Sequence, residues 1–199
     1  MNDVLSFVCG FHIASLQDIE CSDVSVIGRQ DWDSVNNVSK AKKNANPHIN
    51  VIAVVIHHTA TSTCKTEEEC KKIIKDIEKF DLEIMKKRDI LMHFFIGGEN
   101  KTFEGRGWGV EDEAIPGYSS TAINIAFIGN FTSEPVPTKA LYIAQNLILC
   151  GIKMKQISKA HKVYGHNDLR CTDCPGKNLY ALIKKWQAYT KDTSLVPQC

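Results

Sequence analysis

The chain has 199 residues, of which 43% are hydrophobic and 24% are charged, and its formal net charge is +1. This length suits one domain with a well-formed core, and the composition is that of a globular protein. So small a net charge predicts no general attraction to nucleic acid or to an acidic membrane. No apolar run reaches the ~20 residues that a helix needs to span a bilayer.

The two ends of the chain differ from its middle. Residues 1–22 show no clear hydrophobic period, so we interpret them as a leader or an N-terminal tail. The apolar run at 4–11 lacks a positively charged flank and therefore makes a weak secretory leader. We expect the compact domain to cover 23–194 and a short C-terminal tail to cover 195–199.

Cysteine content favours a secreted or extracellular protein. Eight cysteines in 199 residues is a high number, and the close spacing of Cys64 and Cys70 is hard to explain in a reduced core. Asn-x-Ser/Thr sequons, which also fit a secretory route, occur at Asn37, Asn100 and Asn130. The alternative is that the chain is the ectodomain of a membrane receptor.

The first predicted strand is the apolar run at 51–56, which is typical of a strand buried on both faces. Alternation along a strand places His57 and Thr59 on one face and His58 on the other. One histidine is thus presented at the rim of the sheet, where a metal or a substrate could reach it. A local, strand-ending role for both histidines is the alternative at this point.

A long helix is predicted after this strand. The capping box that begins at Thr66 marks its start, and the helical period ends near Lys87. Its buried face is expected to consist of the apolar residues Ile73, Ile77, Phe80 and Ile84.

The later elements alternate in the same way. They are a strand at 89–98, a glycine-rich strand or turn at 102–108, a strand at 123–128, a helix at 138–151, a short extended piece at 163–166, a loop at 167–176 and an amphipathic helix at 179–186. Strands interleaved with three helices predict an α/β domain with a mixed sheet.

Two imidazoles and one thiol form a candidate metal site. His57 ends the first strand, and His166 and Cys174 flank the loop in the last third of the chain. This set suits tetrahedral Zn²⁺ with its fourth position open, and such an ion can polarise a carbonyl group for hydrolysis. Cys171 and Cys174 also form a Cys-x-x-Cys pair, so a redox motif or half of a structural zinc site is the alternative.

Several short motifs follow one another along the chain. They are His-His-Thr-Ala at 57–60, Cys64 and Cys70, Phe-Glu-Gly-Arg-Gly-Trp at 103–108, Ile-Ala-Phe-Ile-Gly-Asn-Phe at 125–131, Gly-His at 165–166 and Cys-Pro-Gly at 174–176. In this order the chain resembles the peptidoglycan recognition proteins of animal innate immunity, which are similar to bacteriophage zinc amidases. The resemblance covers about 27–189. It implies a mixed central sheet flanked by about three helices, with a groove for peptidoglycan.

The resemblance also implies roles for individual residues. His57, His166 and Cys174 fall on the zinc ligands of catalytic members, which cleave the amide between N-acetylmuramic acid and L-alanine. Thr172 falls on a polar active-site position. The positions implied to bind the muropeptide are His58, Thr59, Arg106 and Trp108. Disulfides are implied for the pairs Cys64–Cys70 and Cys21–Cys150. If Cys9 is removed with a leader, the number of remaining cysteines makes a third bridge, Cys171–Cys199, possible; otherwise one thiol stays free or pairs with another chain.

Two of these implied ligand-binding positions have alternatives. In the family, an arginine at the position of Arg106 accompanies recognition of diaminopimelate, whose extra carboxylate a guanidinium can grip in a bidentate manner. Arg106 could otherwise be a solvated surface residue. Trp108 could stack on a sugar or fill the core.

Departures from the family motifs bear on activity. The family reads Asp-Ile-Gly-Tyr-Asn-Phe where this chain has Asp-Ile-Leu-Met-His-Phe at 89–94, so Met92 replaces a tyrosine that assists catalysis. Losing one such donor typically lowers the rate by a factor on the order of 10² to 10³. His93 is expected to point to the opposite face and to be a poor replacement. Ile115 and Asp81 also stand where the family has histidines.

The sequence therefore favours a peptidoglycan-binding protein of innate immunity with a retained zinc site and weak or absent hydrolysis. One alternative is a working zinc-dependent N-acetylmuramoyl-L-alanine amidase. Another is a regulatory or co-receptor domain that does not bind peptidoglycan and acts through protein contacts.

Overall fold

A computed structural model describes Cys21 and residues 24–35, 51–98 and 101–191. Several sequence predictions fall outside the described residues. These are the leader or tail at 1–22 apart from Cys21, the sequons at Asn37 and Asn100, the cysteines Cys9 and Cys199, and the tail at 195–199.

A six-stranded mixed sheet forms the centre of the domain. Its strands are β1 (Val26–Ile27), β2 (Val51–His58), β3 (Phe94–Gly97), β4 (Lys101–Glu104), β5 (Ala122–Phe127) and β6 (Ile157–Gly165). They lie in the order β1-β4-β3-β5-β2-β6. Only the β3–β4 pair is antiparallel among these neighbours. The predicted α/β fold with a mixed central sheet is confirmed.

Helices cover both faces of this sheet. They are α1 (Glu67–Lys79), which continues as a π-helical turn (Phe80–Ile84), α2 (Thr138–Lys153), the single turn α3 (His166–Leu169) and α4 (Lys177–Ile183). Buried residues of α2 and α4 pack on one face of the sheet, and those of α1 pack on the other. No helix in the described part of the chain is both long enough and apolar enough to cross a membrane.

Strand alternation sorts β2 and β5 into an apolar face and a face that carries polar groups. Ile56 of β2 packs with the β5 residues Ile123 and Ile125 in the cluster that contains α2 and α4. On the opposite face lie His57 of β2 and Asn124 of β5, because successive side chains of a strand alternate. His57, which the sequence predicted at the rim of the sheet, therefore lies on the face that carries α1.

The prediction for the apolar face of this helix was right in part. Ile73 and Ile77 are partly buried against the cluster that contains Ile74. Phe80 and Ile84, in the π-helical turn, are 51% and 66% exposed, and this part of the prediction was wrong. Glu78 is fully buried, and its carboxylate lies 3.0 Å from the guanidinium of Arg29, which offsets the cost of burying the charge.

Two other elements differ in extent from the sequence prediction. The strand predicted at 89–98 is limited to Phe94–Gly97. The short extended piece predicted at 163–166 is the nine-residue strand β6, which lies at the edge of the sheet and exposes Lys159 and Lys162. Edge strands with exposed lysines lack the apolar alternation by which strands are recognised.

Candidate metal centre

The three predicted metal ligands lie together at one edge of the sheet. One potential ligand atom from each of His57, His166 and Cys174 lies within 4.8 Å of the others. Nδ1 of His57 is 3.7 Å from Sγ of Cys174, and the two imidazole ring centroids are 4.5 Å apart. His57 is 3% exposed, whereas the other two are half-buried. Solvent can therefore reach His166 and Cys174, whereas His57 lies behind them in the protein interior.

Parallel pairing brings the two histidines together. Ile56 of β2 pairs with Gly165 of β6, so the residues that follow them, His57 and His166, leave the same edge of the sheet. Asp168 holds this connection in place, since its carboxylate accepts a hydrogen bond of 2.7 Å from the Gly165 amide.

A compact turn brings Cys174 to the histidines. The Asn167 amide donates to the Cys174 carbonyl at 2.9 Å, and the Cys174 amide donates to the Thr172 hydroxyl at 3.2 Å. Gly176 has a φ of 87° and passes so close to Phe131 that a Cβ there would lie 2.4 Å from its backbone. Only glycine fits this approach, which explains the Cys-Pro-Gly motif.

Burial keeps the three potential ligands neutral in the absence of a cation. Burial and the neighbouring His166 lower the pKa of His57 to about 3. Burial and Arg170 lower the pKa of His166 to about 4. Burial raises the pKa of Cys174 to about 12, partly opposed by the His58 amide. Neutral imidazoles have a lone pair for a metal, and a cation would favour the thiolate, so this donor set fits Zn²⁺.

The cysteine chemistry is also compatible with a metal. Cys174 is free, whereas Cys171 is disulfide-bonded, so a Cys171–Cys174 bridge is not formed. The redox interpretation of the Cys-x-x-Cys pair is therefore wrong. The bridges Cys21–Cys150 and Cys64–Cys70 are formed, with Cα–Cα distances of 5.3 and 5.1 Å. The predicted third bridge involves Cys199, which is outside the part that the structure describes.

The predicted polar neighbours of the site shape its rim. The His58 amide donates to Sγ of Cys174 at 3.4 Å, and its Nδ1 accepts a hydrogen bond from the Phe131 amide. The Thr59 hydroxyl accepts from the Gly129 amide at 2.9 Å. Thr172 is exposed, two residues before Cys174. These residues fix the segments that surround the ligands.

Arg106 is a buried residue, which contradicts the interpretation as a solvated surface arginine. Its side chain is buried, and its residue is 3% exposed. Its Nε donates to the Ile90 carbonyl at 2.6 Å, and its terminal nitrogens donate to the carbonyls of Asp89 and Glu111. The guanidinium is therefore not a solvated surface group, and in this structure three backbone carbonyls accept its hydrogen bonds. The preference for diaminopimelate stays a prediction.

Trp108 contributes to the core. Its ring packs against Phe94 with a centroid distance of 4.5 Å. It also lies over Gly151, where a Cβ would come within 2.8 Å of the indole. Of the two sequence interpretations, core packing describes this half-buried side chain.

Position 92, where the family has a tyrosine, holds a methionine that cannot donate a proton. Met92 is half-buried against the cluster that contains Phe95 and has no hydroxyl. His93 is fully buried, its Nε2 lies 2.9 Å from the Val110 carbonyl, and its Nδ1 accepts from the Asn124 amide. Both ring nitrogens are therefore engaged, which supports the expectation that His93 is a poor replacement.

Sequence reasoning missed one residue at this site. Asn124 is fully buried on β5, and its Oδ1 lies 2.8 Å from Nε2 of His57. The available signal was a single amide in the otherwise apolar strand at 122–127. A polar residue in such a strand needs a buried partner.

The fold and the His-His-Cys site define a domain of the amidase class, and the family model for N-acetylmuramoyl-L-alanine amidase matches residues 47–177. Peptidoglycan-recognition protein 1 of Holotrichia diomphalia is 31% identical over 167 residues, which are 84% of this chain and 83% of that protein. The chain therefore belongs to the peptidoglycan recognition protein family, as the sequence predicted.

Two similar solved structures contain muropeptide ligands. The ectodomain complex of peptidoglycan recognition proteins LCa and LCx bound to tracheal cytotoxin has a TM-score of 0.79 and 28% identity, covering 84% of this chain and 99% of that one. Human PGRP-IBETAC in complex with glycosamyl muramyl pentapeptide has a TM-score of 0.76 and 30% identity. The match covers 83% of this chain and 98% of that one.

Proposed function

We propose that this chain recognises bacterial peptidoglycan in innate immunity by binding a muropeptide at the sheet edge beside His57. The observation that carries this proposal is the retained cluster of His57, His166 and Cys174 at that edge. Two proteins of the same fold were solved with muropeptide ligands, which gives the ligand class. The exposed Thr172 and the half-buried His166 provide polar groups for such a ligand.

The cluster is proposed to hold one Zn²⁺. When bound, zinc would polarise the carbonyl group of an amide. The chain's own residues support the ion, because His57 directs Nδ1 at Cys174 and the His58 amide hydrogen-bonds its sulfur. Met92 supplies no hydroxyl to stabilise developing charge, so we propose that hydrolysis is weak or absent.

A working N-acetylmuramoyl-L-alanine amidase is the second candidate. The complete donor set and the free thiol of Cys174 favour it. The two candidates share one site and differ only in the rate of amide cleavage.

We also propose an extracellular location, either as a secreted protein or as a receptor ectodomain. Two disulfides with ordinary Cα separations support an oxidising environment. One relative of the same fold is itself an ectodomain complex.

Co-sedimentation with insoluble peptidoglycan tests the binding proposal. Wild type should sediment with peptidoglycan, whereas Thr172→Trp should not, because an indole at this exposed position would obstruct the sheet edge. Lys159→Trp is the matched control, since it adds the same indole at an exposed position seven residues before His166.

The same samples separate the candidate functions. Sedimentation with little release of stem peptide supports the proposal, and rapid release identifies an amidase. A folded wild type that stays in the supernatant would overturn peptidoglycan binding and favour a regulatory domain that acts by protein contacts.

A further inference from the structure

We infer that Asn124 is a positioning residue for the metal ligand His57, which it holds in the tautomer and orientation that direct Nδ1 at the metal position. This inference rests on the proposed zinc site. It concerns a residue of β5 that is outside the ligand set.

Sheet register explains how β5 reaches this ligand. In the parallel β2–β5 pair, Val55 lies opposite Asn124 and His57 lies opposite Ala126. Asn124 and His57 are therefore diagonal neighbours on one face of the sheet. Asn124 is fully buried and His57 is 3% exposed, so water does not compete for their contact.

The hydrogen bond between these residues determines which histidine nitrogen is protonated. His57 Nε2 lies 2.8 Å from Oδ1 of Asn124. A carbonyl oxygen only accepts, so Nε2 must carry the proton and Nδ1 must keep its lone pair. That lone pair faces Cys174, whose sulfur is 3.7 Å away. Metal-binding histidines generally have such an outer hydrogen-bond partner.

Asp112 is a buried neighbour of the Asn124 amide. Oδ1 of Asp112 accepts from the Ala114 amide at 2.7 Å. Its Oδ2 and the Nδ2 of Asn124 are both buried, and neither has a partner within hydrogen-bonding geometry among the residues described. Burial raises the pKa of Asp112 to about 6, and the Asn124 amide is among the groups that oppose this shift. Rotating the amide by half a turn would direct its oxygen at this carboxylate, which is unfavourable.

The backbone of Asn124 is held by a second imidazole. Its amide donates to Nδ1 of His93 at 3.0 Å, so Nε2 of His93 carries the proton and donates to the Val110 carbonyl at 2.9 Å. His93 occupies the position that is asparagine in the family motif. Hydrogen bonds thus connect His93 through Asn124 to His57 behind the ligand.

A purely structural role would predict only a loss of stability when Asn124 is changed. A positioning role also predicts a change at the metal position. Three variants separate the two. Asn124→Leu removes the acceptor at similar volume. The exchange variant Asn124→Asp/Asp112→Asn keeps one carboxylate and one amide in the pair. Thr102→Val is the control, because its buried hydroxyl on β4 has no hydrogen-bond partner within the described part and lies outside the site.

Zinc affinity is measured for each protein by competition with a chromogenic chelator. Asn124→Leu should bind zinc roughly 10 to 100 times more weakly. The exchange variant should recover most of the affinity, because a carboxylate again accepts from His57, and Thr102→Val should match wild type. Equal affinity of Asn124→Leu and wild type would overturn the inference, and so would an equal loss in Thr102→Val.

The tautomer of His57 gives a readout that does not require a folded variant. Nitrogen-15 NMR of metal-free wild type should show a protonated Nε2 and an unprotonated Nδ1. The opposite tautomer would overturn the inference even if Asn124→Leu failed to fold. A wild type that binds no zinc would overturn the metal site and the inference together, whereas peptidoglycan binding is decided separately by sedimentation.

Discussion

Nδ1 of His57 lies 3.7 Å from Sγ of Cys174, although 117 positions separate the two residues. The first is the buried end of a strand, and the second belongs to a turn that glycine and proline shape. Neither segment could form a metal site alone. The two residues come together because β2 pairs in parallel with β6. The turn that carries Cys174 follows β6 and His166 in the chain.

The first prediction is that purified protein contains about one Zn²⁺ per chain, as expected for a site with three protein ligands. Cys174→Ser should lose the metal, because a hydroxyl is a much weaker ligand than a thiolate. Metal content is measured by elemental analysis after purification in buffer that contains zinc. His161→Ala, which changes a histidine of β6 outside the cluster, should keep the ion. A wild type without metal would show that the cluster does not bind zinc.

The second prediction concerns catalysis. Met92→Tyr should raise the rate of stem-peptide release by roughly 10²-fold, because the phenol would supply a donor to the developing oxyanion. Met92→Phe is the matched control, since it has the ring without the hydroxyl and should leave the slow rate unchanged. A wild-type rate as high as that of Met92→Tyr would mean that the missing tyrosine does not limit this protein.

The third prediction compares the two disulfides. Cys21–Cys150 closes 129 residues and Cys64–Cys70 closes only 6. Loop-closure entropy therefore predicts a loss of about 5 kcal/mol in the free energy of unfolding for the long bridge and about 2 kcal/mol for the short one, when both cysteines are changed to serine. Guanidinium denaturation of the two double variants measures the difference.

The short bridge should matter more for ligand binding than for stability. It ties the segment after β2, which begins with the rim residue Thr59, to the first turn of α1. The Cys64→Ser/Cys70→Ser variant should therefore bind peptidoglycan more weakly than the Cys21→Ser/Cys150→Ser variant at a temperature where both are folded. The reverse order of affinities would contradict this assignment.

Sequence motifs predicted the parts of the site that depend on residue identity in a fixed order. His57, His166, Cys174 and the bridges Cys21–Cys150 and Cys64–Cys70 all followed from the resemblance, and the structure brings them together. The mixed sheet followed from the alternation of apolar strands with helices. These features can be predicted because they depend on short stretches of sequence: the alternation of apolar residues, or family motifs that occur in a fixed order.

Features that depend on buried charge could not be predicted from periodicity. Glu78 of α1 and Asp81 of the π-helical turn are buried, although they count as polar in any hydrophobic pattern. Arg29 makes the burial of Glu78 favourable from 49 positions away. Arg106 is likewise buried because three backbone carbonyls accept its hydrogen bonds. Such partners are set by the tertiary fold, so the sequence gives no local sign of them.

The fourth prediction uses one of these buried carboxyl groups. Asp81 is 5% exposed, and burial raises its pKa from 3.8 to about 6, although the Leu91 amide and Arg106 oppose the shift. The folded state thus binds this proton more tightly than the unfolded state. The stability that Asp81 contributes is fully present below pH 3.8 and is lost as the pH rises through about 6.

Asp81→Asn removes this titration and keeps an oxygen that can accept from the Leu91 amide. Between about pH 4.5 and pH 7, the wild type should lose about 2 kcal/mol of unfolding free energy relative to the variant, as expected from the size of the pKa shift. Urea denaturation of both proteins across this range measures the difference. The contributions of all other titratable groups, which the two proteins share, cancel when wild type and variant are subtracted. Asp33→Asn is the control, because it makes the same exchange at a carboxylate that is 84% exposed. A pH-independent difference for Asp81→Asn would show that this carboxyl titrates alike in the folded and unfolded states.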